Sequence, residues 1–165
     1  ESSVSAAALR FLILTVGRTS QVTGALWDEI KVDEKLWSVP ANRMKSGKAH
    51  DVPLSAEALH LLERLPRIAD SPYLFPGLKA NSPVNANSMR LFLRKKLPHL
   101  SVTVHGFRST FRDWAEEQNR WGGRSIEACL AHTNVNKSES AYLRSDLIVQ
   151  RRVIIESWAQ LLVRF

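Results

Sequence analysis

The pattern of apolar and polar positions divides the chain into helical and strand-like segments. Ser5 to Val16 is apolar on nearly every side, which predicts a helix buried inside a domain. Gly17 to Ser20 interrupts this pattern. A short second helix is predicted from about Ser20 to Leu26, with Ser20 as its N-cap. This first part of the chain is therefore predicted to be helical.

Between Trp27 and Leu54 the pattern changes from helical spacing to alternation. Glu29 to Asp33 and Leu36 to Pro40 alternate polar and apolar residues on either side of a polar turn, which predicts a hairpin. A basic, glycine-containing loop from Arg43 to His50 follows, and Asp51 to Leu54 reads as a third short strand. We therefore predict a small antiparallel sheet of about three strands.

The rest of the chain shows helical periodicity, apart from a turn-rich stretch from Asp70 to Val84. The fold class that follows is mainly α with a small antiparallel β-sheet (α+β), in a single domain over residues 1–165. The further helices are predicted at Ser55–Leu65 with Ser55 as its cap, Asn87–Leu97, Gly106–Gln118, Ser125–Ala131, Ser138–Leu143 and Leu147–Phe165.

The charge of the chain narrows the choice of partners. Its 23 Lys and Arg residues outnumber its 16 Asp and Glu residues, which gives a formal net charge of +7. An excess of this size favours a polyanionic partner, and nucleic acid is the commonest one. A basic protein with no nucleic-acid role fits the charge alone equally well.

The cysteine content and the hydropathy of the chain indicate the cellular compartment in which it is expected. Cys129 is the only cysteine, so no internal disulfide can form and a reducing compartment is expected, with Cys129 as a small buried apolar residue. No run approaches the roughly 18 consecutive apolar residues that span a bilayer, so no membrane partner is expected. The chain starts without Met and without a basic leader, which suggests a cytoplasmic fragment of a longer protein.

One set of side chains suits phosphodiester chemistry. A tyrosine hydroxyl can attack phosphorus, guanidinium groups can hold the charged oxygens, and lysine and imidazole can move protons. The chain offers Tyr142 for the first role, because Tyr73, the other tyrosine, lies in a turn-like Pro-rich segment that reads as structural. The remaining members of the set are Arg18, Lys45, His105, Arg108 and His132.

These residues lie in segments that resemble the catalytic domain of the tyrosine recombinases, the phage integrase family, and most of all the integrases of prophages and integrative islands. The His-x-x-Arg motif alone is weak, but all the segments occur in family order over nearly the whole chain. The matching segments are Leu14–Thr19, Arg43–Lys45 with Val52–Ser55, His105–Arg108, Leu130–His132 and Ala141–Tyr142.

The resemblance implies a role for each of these side chains. Tyr142 is the nucleophile and forms a 3′-phosphotyrosyl bond, which a 5′ hydroxyl then attacks to rejoin the strands. Arg18 and Arg108 clamp the phosphate, and their charge opposes the negative charge of the transition state. His105 and His132 move protons or hydrogen-bond a phosphoryl oxygen.

Lys45 resembles the hairpin lysine that protonates the leaving 5′ oxygen, with Lys48 as a fallback that contacts phosphate. No cofactor is implied, because the phosphotyrosyl bond conserves the energy of the phosphodiester and the scheme needs no metal. A zinc site is also not indicated by spacing, since His50, His60 and His99 are scattered.

The partner that the resemblance implies is double-stranded DNA carrying an attachment site. A full-length relative assembles as a homotetramer on DNA, and this piece, without the family's N-terminal DNA-binding domains, is expected to bind weakly and to allow a monomer. The stretch from Val149 to Leu162 either exchanges between neighbours or packs back on its own domain. The residues expected to contact DNA are Lys48, Arg90, Arg94, Lys95 and Lys96.

Two departures from the family pattern stand out. Gln21 occupies a position where the family usually has Glu, which predicts weaker local order there, and Tyr142 follows His132 by one residue more than in many relatives. Two alternatives to a recombinase stay open: a topoisomerase-like enzyme that relaxes DNA by the same chemistry, and a DNA-binding protein that has the fold without turnover. The second is disfavoured because all six residues of the set occur together.

Overall fold

The computed structural model of the chain describes residues 3–79, 81–132 and 147–164. Within these ranges a small antiparallel sheet lies against a larger group of helices, which confirms the predicted fold class. The helices are α1 (Val4–Thr15), α2 (Thr19–Thr23), α3 (Ala56–Glu63), α4 (Asn87–Lys96), α5 (Gly106–Glu117), α6 (Gly123–Cys129) and α7 (Ile148–Leu162).

The sheet has the strand order β1 (Ile30–Lys31), β2 (Leu36–Val39), β3 (His50–Pro53). Both pairings are antiparallel, and Trp37 lies opposite Ile30 on one side and Val52 on the other. The predicted hairpin and third strand are therefore confirmed. β3 begins at His50, one residue earlier than predicted.

The main core forms around the apolar helix α1. Phe11 is fully buried, and its ring centroid lies 5.1 Å from that of Trp37 and 5.6 Å from that of Phe75. Phe75 belongs to the turn-rich segment, where Leu74 donates a backbone hydrogen bond to Ala25 over 2.9 Å. This segment, with Tyr73 beside Leu26, is structural as predicted.

A second cluster of aromatic side chains joins α5 to α7. Trp158 is 3% exposed, its ring centroid lies 5.5 Å from Phe111 and 5.1 Å from Trp114, and its Nε1 donates to the carbonyl of Ile13 over 2.9 Å. α7 therefore packs on α5 and on the end of α1 within its own domain. Of the two arrangements predicted for the C-terminal helix, this structure shows the second.

Two predicted caps have different outcomes. The Ser55 Oγ accepts from the Ala58 N–H over 3.3 Å, as expected of the residue that starts α3. Ser20 is not the cap of α2, because the helix begins at Thr19 and Arg18 is its N-cap residue.

The predicted helix at Ser138–Leu143 lies outside the described residues. None of the helices in the described ranges is long and apolar enough to cross a bilayer.

Candidate active site

The guanidinium of Arg108 lies buried in the first turn of α5. Arg108 is 5% exposed, and it donates hydrogen bonds to the backbone carbonyls of Leu130, over 2.7 Å, and of Val16. Val16 ends α1 with a left-handed backbone (φ 54°), which is rare for a β-branched residue. The ends of two helices that are far apart in sequence thus fix the orientation of one guanidinium.

The charge of Arg18 acts on the guanidinium of Arg108. Burial first, and then repulsion from Arg18, lower the pKa of Arg108 from its ordinary value to about 10, while Glu127 acts in the opposite direction. Arg108 therefore stays charged at neutral pH. Because neighbouring guanidinium groups repel each other, an anion bound between them gains attraction from both, which makes this pair suited to phosphate.

Arg18 is held in place through Gln21. The backbone N–H of Arg18 donates to Gln21 Oε1 over 2.7 Å, and Gln21 Nε2 lies 2.9 Å from the sulfur of Met44. Gln21 is 4% exposed and both ends of its amide are occupied. The amide oxygen of Gln21 thus takes the capping position and the amide nitrogen reaches the hairpin loop. That Gln21 gives weaker local order than Glu stays a prediction.

The same contacts anchor the loop that carries Lys45. Arg43 forms an ion pair with Glu29 and donates to the carbonyl of Gln21 over 3.1 Å. Met44, 6% exposed, lies in the core directly before Lys45. Lys45 and Lys48 themselves are exposed. The base of the loop is thus fixed beside the element of Arg18, and the lysine side chains remain on the surface.

His132 lies against Arg108, at the end of α6. Its Nε2 is 3.5 Å from Arg108 Nη2, and its Nδ1 is 2.6 Å from Glu127 Oε2. The other oxygen of Glu127 forms an ion pair with Arg112 Nε over 2.7 Å. Carboxylate, imidazole and the buried guanidinium therefore form one continuous chain of contacts.

His105 is the N-cap residue of α5 and is exposed. It precedes Arg108 by three residues, which places both at the start of one helix. The structure thus brings His132 into contact with Arg108, within the electrostatic influence of Arg18. His105 lies at the start of the helix of Arg108, and Lys45 lies on the anchored loop.

Comparison with known proteins agrees with this geometry. The sequence profile of the phage integrase family matches residues 1–147. The chain belongs to the phage integrase family. It is 36% identical over 151 residues to prophage integrase IntA of Escherichia coli K12, covering 90% of this chain and 36% of that protein. It is 33% identical over 172 residues to the integrase of Enterobacteria phage P4, covering 94% of this chain and 39% of that protein.

Solved structures of integrases share the fold. The integrase of mycobacterium phage Brujita superposes with a TM-score of 0.71 at 17% identity, over 93% of this chain and 50% of that one. Lambda integrase (residues 75–356), solved as a dimer bound to a COC′ core site, gives a TM-score of 0.60 at 20% identity, over 79% of this chain and 50% of that one. The chain spans less than two fifths of the curated relatives named above.

Tyr142, the remaining member of the predicted set, lies outside the described residues of this integrase. The described segments on either side of Tyr142 are held against the domain, since His132 contacts Arg108 and α7 packs on α5 and α1. The basic residues predicted to contact DNA on α4 are all exposed, and they are Arg90, Arg94, Lys95 and Lys96.

Sequence reasoning missed His50 and Arg151. Arg151, 2% exposed on α7, donates to the carbonyl of Asp51 and has its Nη2 3.1 Å from His50 Nε2. Burial, followed by the charge of Arg151, lowers the pKa of His50 from 6.5 to about 3, and Arg18 and Arg108 add to this. His50 is therefore a neutral imidazole in contact with Arg151 at neutral pH. The available sequence signal was the helical spacing of α7, which puts Arg151 on the face of the helix that is buried.

Cys129 is buried as predicted. Burial raises the pKa of its thiol from 9.0 to about 12, so the thiol is not a nucleophile at neutral pH. Among the described residues there is no group of three or more His, Cys, Asp or Glu side chains that could hold a metal ion.

Proposed function

We propose that this chain is the catalytic domain of a site-specific tyrosine recombinase, which cleaves and rejoins double-stranded DNA. The observation that carries the proposal is the buried guanidinium of Arg108, which two backbone carbonyls orient, which His132 contacts and on which the charge of Arg18 acts. A fixed, fully charged fork in this position suits a phosphoryl group whose negative charge grows in the transition state.

The proposed reaction follows the roles assigned from the sequence. The Tyr142 hydroxyl attacks phosphorus and loses its proton, the bond from phosphorus to the 5′ oxygen breaks, and a 3′-phosphotyrosyl bond remains. Lys45 supplies a proton to the leaving 5′ oxygen. His105 and His132 carry protons and hydrogen-bond phosphoryl oxygens. A 5′ hydroxyl from another strand then attacks the phosphotyrosyl bond and releases the enzyme.

The larger assembly is part of the proposal. Because the curated relatives are more than twice as long as the match, we propose that further DNA-binding domains belong to the functional protein. We also propose that it acts as a homotetramer on attachment-site DNA at the bacterial nucleoid. The lambda integrase structure with a core site supports DNA as the partner.

A suicide-substrate assay tests the proposal. Nicked, labelled duplexes tiled across both ends of the element that encodes the chain are incubated with protein in chelator and resolved on denaturing gels. The Tyr142→Phe variant is compared with Tyr73→Phe, which changes the other of the two tyrosines. We expect a covalent band with wild type and Tyr73→Phe and none with Tyr142→Phe.

Other outcomes contradict specific parts of the proposal. Binding to the duplexes without a covalent band in wild type would favour a non-catalytic DNA-binding protein. A band that persists in Tyr142→Phe would show that the nucleophile is wrong. Relaxation of supercoiled plasmid without any joining to a separate 5′-hydroxyl strand would favour the topoisomerase-like alternative.

A further inference from the structure

The end of α6 brings Glu127 and His132 together. The backbone N–H of His132 donates to the Glu127 carbonyl over 3.1 Å, and the N–H of Ala131 donates to the Ala128 carbonyl over 3.2 Å. Ala131 has a left-handed backbone (φ 52°). These two bonds and the left-handed residue form a Schellman motif, which turns the chain back over the last helical turn. A residue five positions earlier thereby becomes the neighbour of the His132 ring.

The side chain of Glu127 then contacts that ring. Its Oε2 lies 2.6 Å from His132 Nδ1, and its Oε1 lies 2.7 Å from Arg112 Nε. An ionised carboxylate only accepts hydrogen bonds, so Nδ1 must carry the hydrogen. The lone pair of the neutral ring is then on Nε2, which faces Arg108 Nη2 at 3.5 Å.

We propose that Glu127 is a positioning residue: its carboxylate holds the His132 ring with Nδ1 protonated and Nε2 directed at the phosphate that Arg108 binds. Arg112 fixes Glu127 from the other side. This inference rests on the proposed function, because the phosphate is that of the DNA strand being cleaved.

The arrangement has a chemical consequence for His132. With Nδ1 committed to Glu127, Nε2 takes up a proton or, once protonated, donates a hydrogen bond to a phosphoryl oxygen. The carboxylate stabilises the imidazolium that forms, as a carboxylate does in a Ser-His-Asp triad. Without it, the ring can rotate, and the other tautomer places a hydrogen on Nε2.

Glu116 is the matched control for Glu127. Both carboxylates pair with Arg112 Nε, at 3.2 Å for Glu116 and 2.7 Å for Glu127. Glu116 is one turn along α5 from Arg112, and its side chain is 51% exposed, against 25% for Glu127. Among the ion pairs of the described residues, only that of Glu127 also reaches His132. An effect that depends on Arg112 alone would appear in both variants.

The first test reads the tautomer without any DNA. The chain is labelled with ¹⁵N-histidine, and the His132 ring is assigned by the loss of its signals in His132→Asn. Spectra are taken at about pH 8.5, where an unperturbed imidazole is neutral. We expect Nδ1–H in wild type and in Glu116→Ala, and loss of this preference in Glu127→Ala. A wild-type ring protonated at Nε2 would overturn the proposal, whatever the activity of the chain.

The second test separates chemistry from binding. We expect Glu127→Ala to slow formation of the covalent complex on a nicked duplex by about 10- to 100-fold, as loss of an orienting partner does at metal-bound histidines, with the Kd for DNA unchanged. Glu127→Gln retains an oxygen for Nδ1 and should recover part of the rate. Glu116→Ala should cleave at the wild-type rate.

The outcomes distinguish this inference from the proposed function. Equal loss of rate in Glu127→Ala and Glu116→Ala, or an unchanged rate in Glu127→Ala, would overturn the positioning role. If wild type forms no covalent complex on any duplex, the proposed function fails, and the imidazole spectra still decide the role of Glu127. Thermal melting of each variant shows whether a loss of rate comes from unfolding instead.

Discussion

At the scale of single residues, the site depends on charged and polar groups that the fold has removed from water. The Arg108 guanidinium is buried, and its donors are directed to the carbonyls of Val16 and Leu130. Burying a charge is costly unless hydrogen bonds compensate, and these carbonyls provide them. The same bonds fix the guanidinium before any ligand arrives, so little reorganisation is needed when phosphate binds.

Replacing Arg108 by lysine should impair both cleavage and folding. A lysine ammonium retains the charge but lacks the planar fork, so we expect covalent-complex formation to fall by about 10²–10³-fold. A carbonyl left without its donor should lower the free energy of unfolding by about 1–3 kcal/mol. Rates on a nicked duplex and urea titrations measure the two effects. The control Arg64→Lys changes an exposed arginine outside the proposed DNA contacts and should alter neither; equal behaviour of the two variants would contradict this account.

His50 should make the protein sensitive to acid. Burial and Arg151 lower its pKa in the folded state to about 3, below the ordinary 6.5, so the unfolded chain binds more protons between these values. The free energy of unfolding should therefore fall as pH drops from about 6.5 towards about 3. Urea titrations of wild type and His50→Asn at a series of pH values should show less loss in the variant. His60→Asn, an exposed control, should lose as much as wild type; the same loss in His50→Asn would refute the assignment.

At the scale of elements, helix α7 connects several parts of the site. Arg151 joins it to β3, and Arg152 donates to the Glu34 carbonyl over 2.6 Å at the hairpin turn. Glu156 accepts from the backbone N–H of Ala56 over 3.1 Å, at the start of α3. These contacts join β3, the hairpin turn and the start of α3 to α7. The helix that follows the Tyr142 segment is therefore fixed to the sheet that carries the Lys45 loop.

Removing one of these ties should loosen the sheet from the helix. In Arg151→Met the side chain keeps its apolar stem but no longer donates to Asp51, and we expect a loss of about 1–3 kcal/mol in the free energy of unfolding. Hydrogen exchange of β3 amides should rise more than that of α1. Arg124→Met, at an exposed arginine of α6, is the control. Unchanged exchange in β3 would mean that Arg151 does not tie the elements together.

The elements show which features local sequence predicts. Apolar periodicity located α1, α4 and α5 to within about two residues, since burial of one face is recorded in residue spacing. The N-cap of α2 was wrong because Ser20 has the preferred side chain, whereas the backbone of Arg18 and the amide of Gln21 form the cap. That contact depends on the packing of Met44, which no local pattern contains.

The candidate site was also predictable only in part, because some of its contacts are not contained in any local sequence pattern. Arg18, Arg108 and His132 were predicted from the family resemblance; in the structure His132 contacts Arg108, and the charge of Arg18 acts on Arg108. Glu127 and His50 were not predicted, because the periodicity of apolar residues indicates neither of their contacts. A Schellman turn at the end of α6 brings Glu127 to His132. Arg151 lies 101 positions after His50 in the chain and reaches it only through tertiary packing.

At the scale of the whole molecule, the positive charge is unevenly divided between buried and exposed side chains. The net charge is +7, and the buried arginines at the site account for only a small part of it. α4 carries four exposed cations on one short helix, Arg90, Arg94, Lys95 and Lys96. Phosphate contacts of exposed cations contribute affinity that weakens with salt, while they carry no sequence information.

Removing charge from α4 should therefore change the salt dependence of DNA binding. In Arg94→Ser/Lys95→Ser we expect weaker binding to every duplex and a reduction of about 1–2 in the slope of log K against log salt. Lys31→Ser/Arg64→Ser removes the same charge from exposed positions elsewhere and is the control. Fluorescence anisotropy over a salt series measures both. Equal slopes in the two double variants would show that α4 does not contact DNA.

The most direct test of the central claim is the identity of the covalent bond. Complexes trapped on a nicked duplex are digested with nuclease and trypsin and sequenced by mass spectrometry. The chain places Tyr142 in the tryptic peptide Ser138–Arg144, which contains no other tyrosine. Our account predicts a nucleotide joined through its 3′ phosphate to Tyr142 in that peptide. A nucleotide on any other residue, or one joined through a 5′ phosphate, would contradict it.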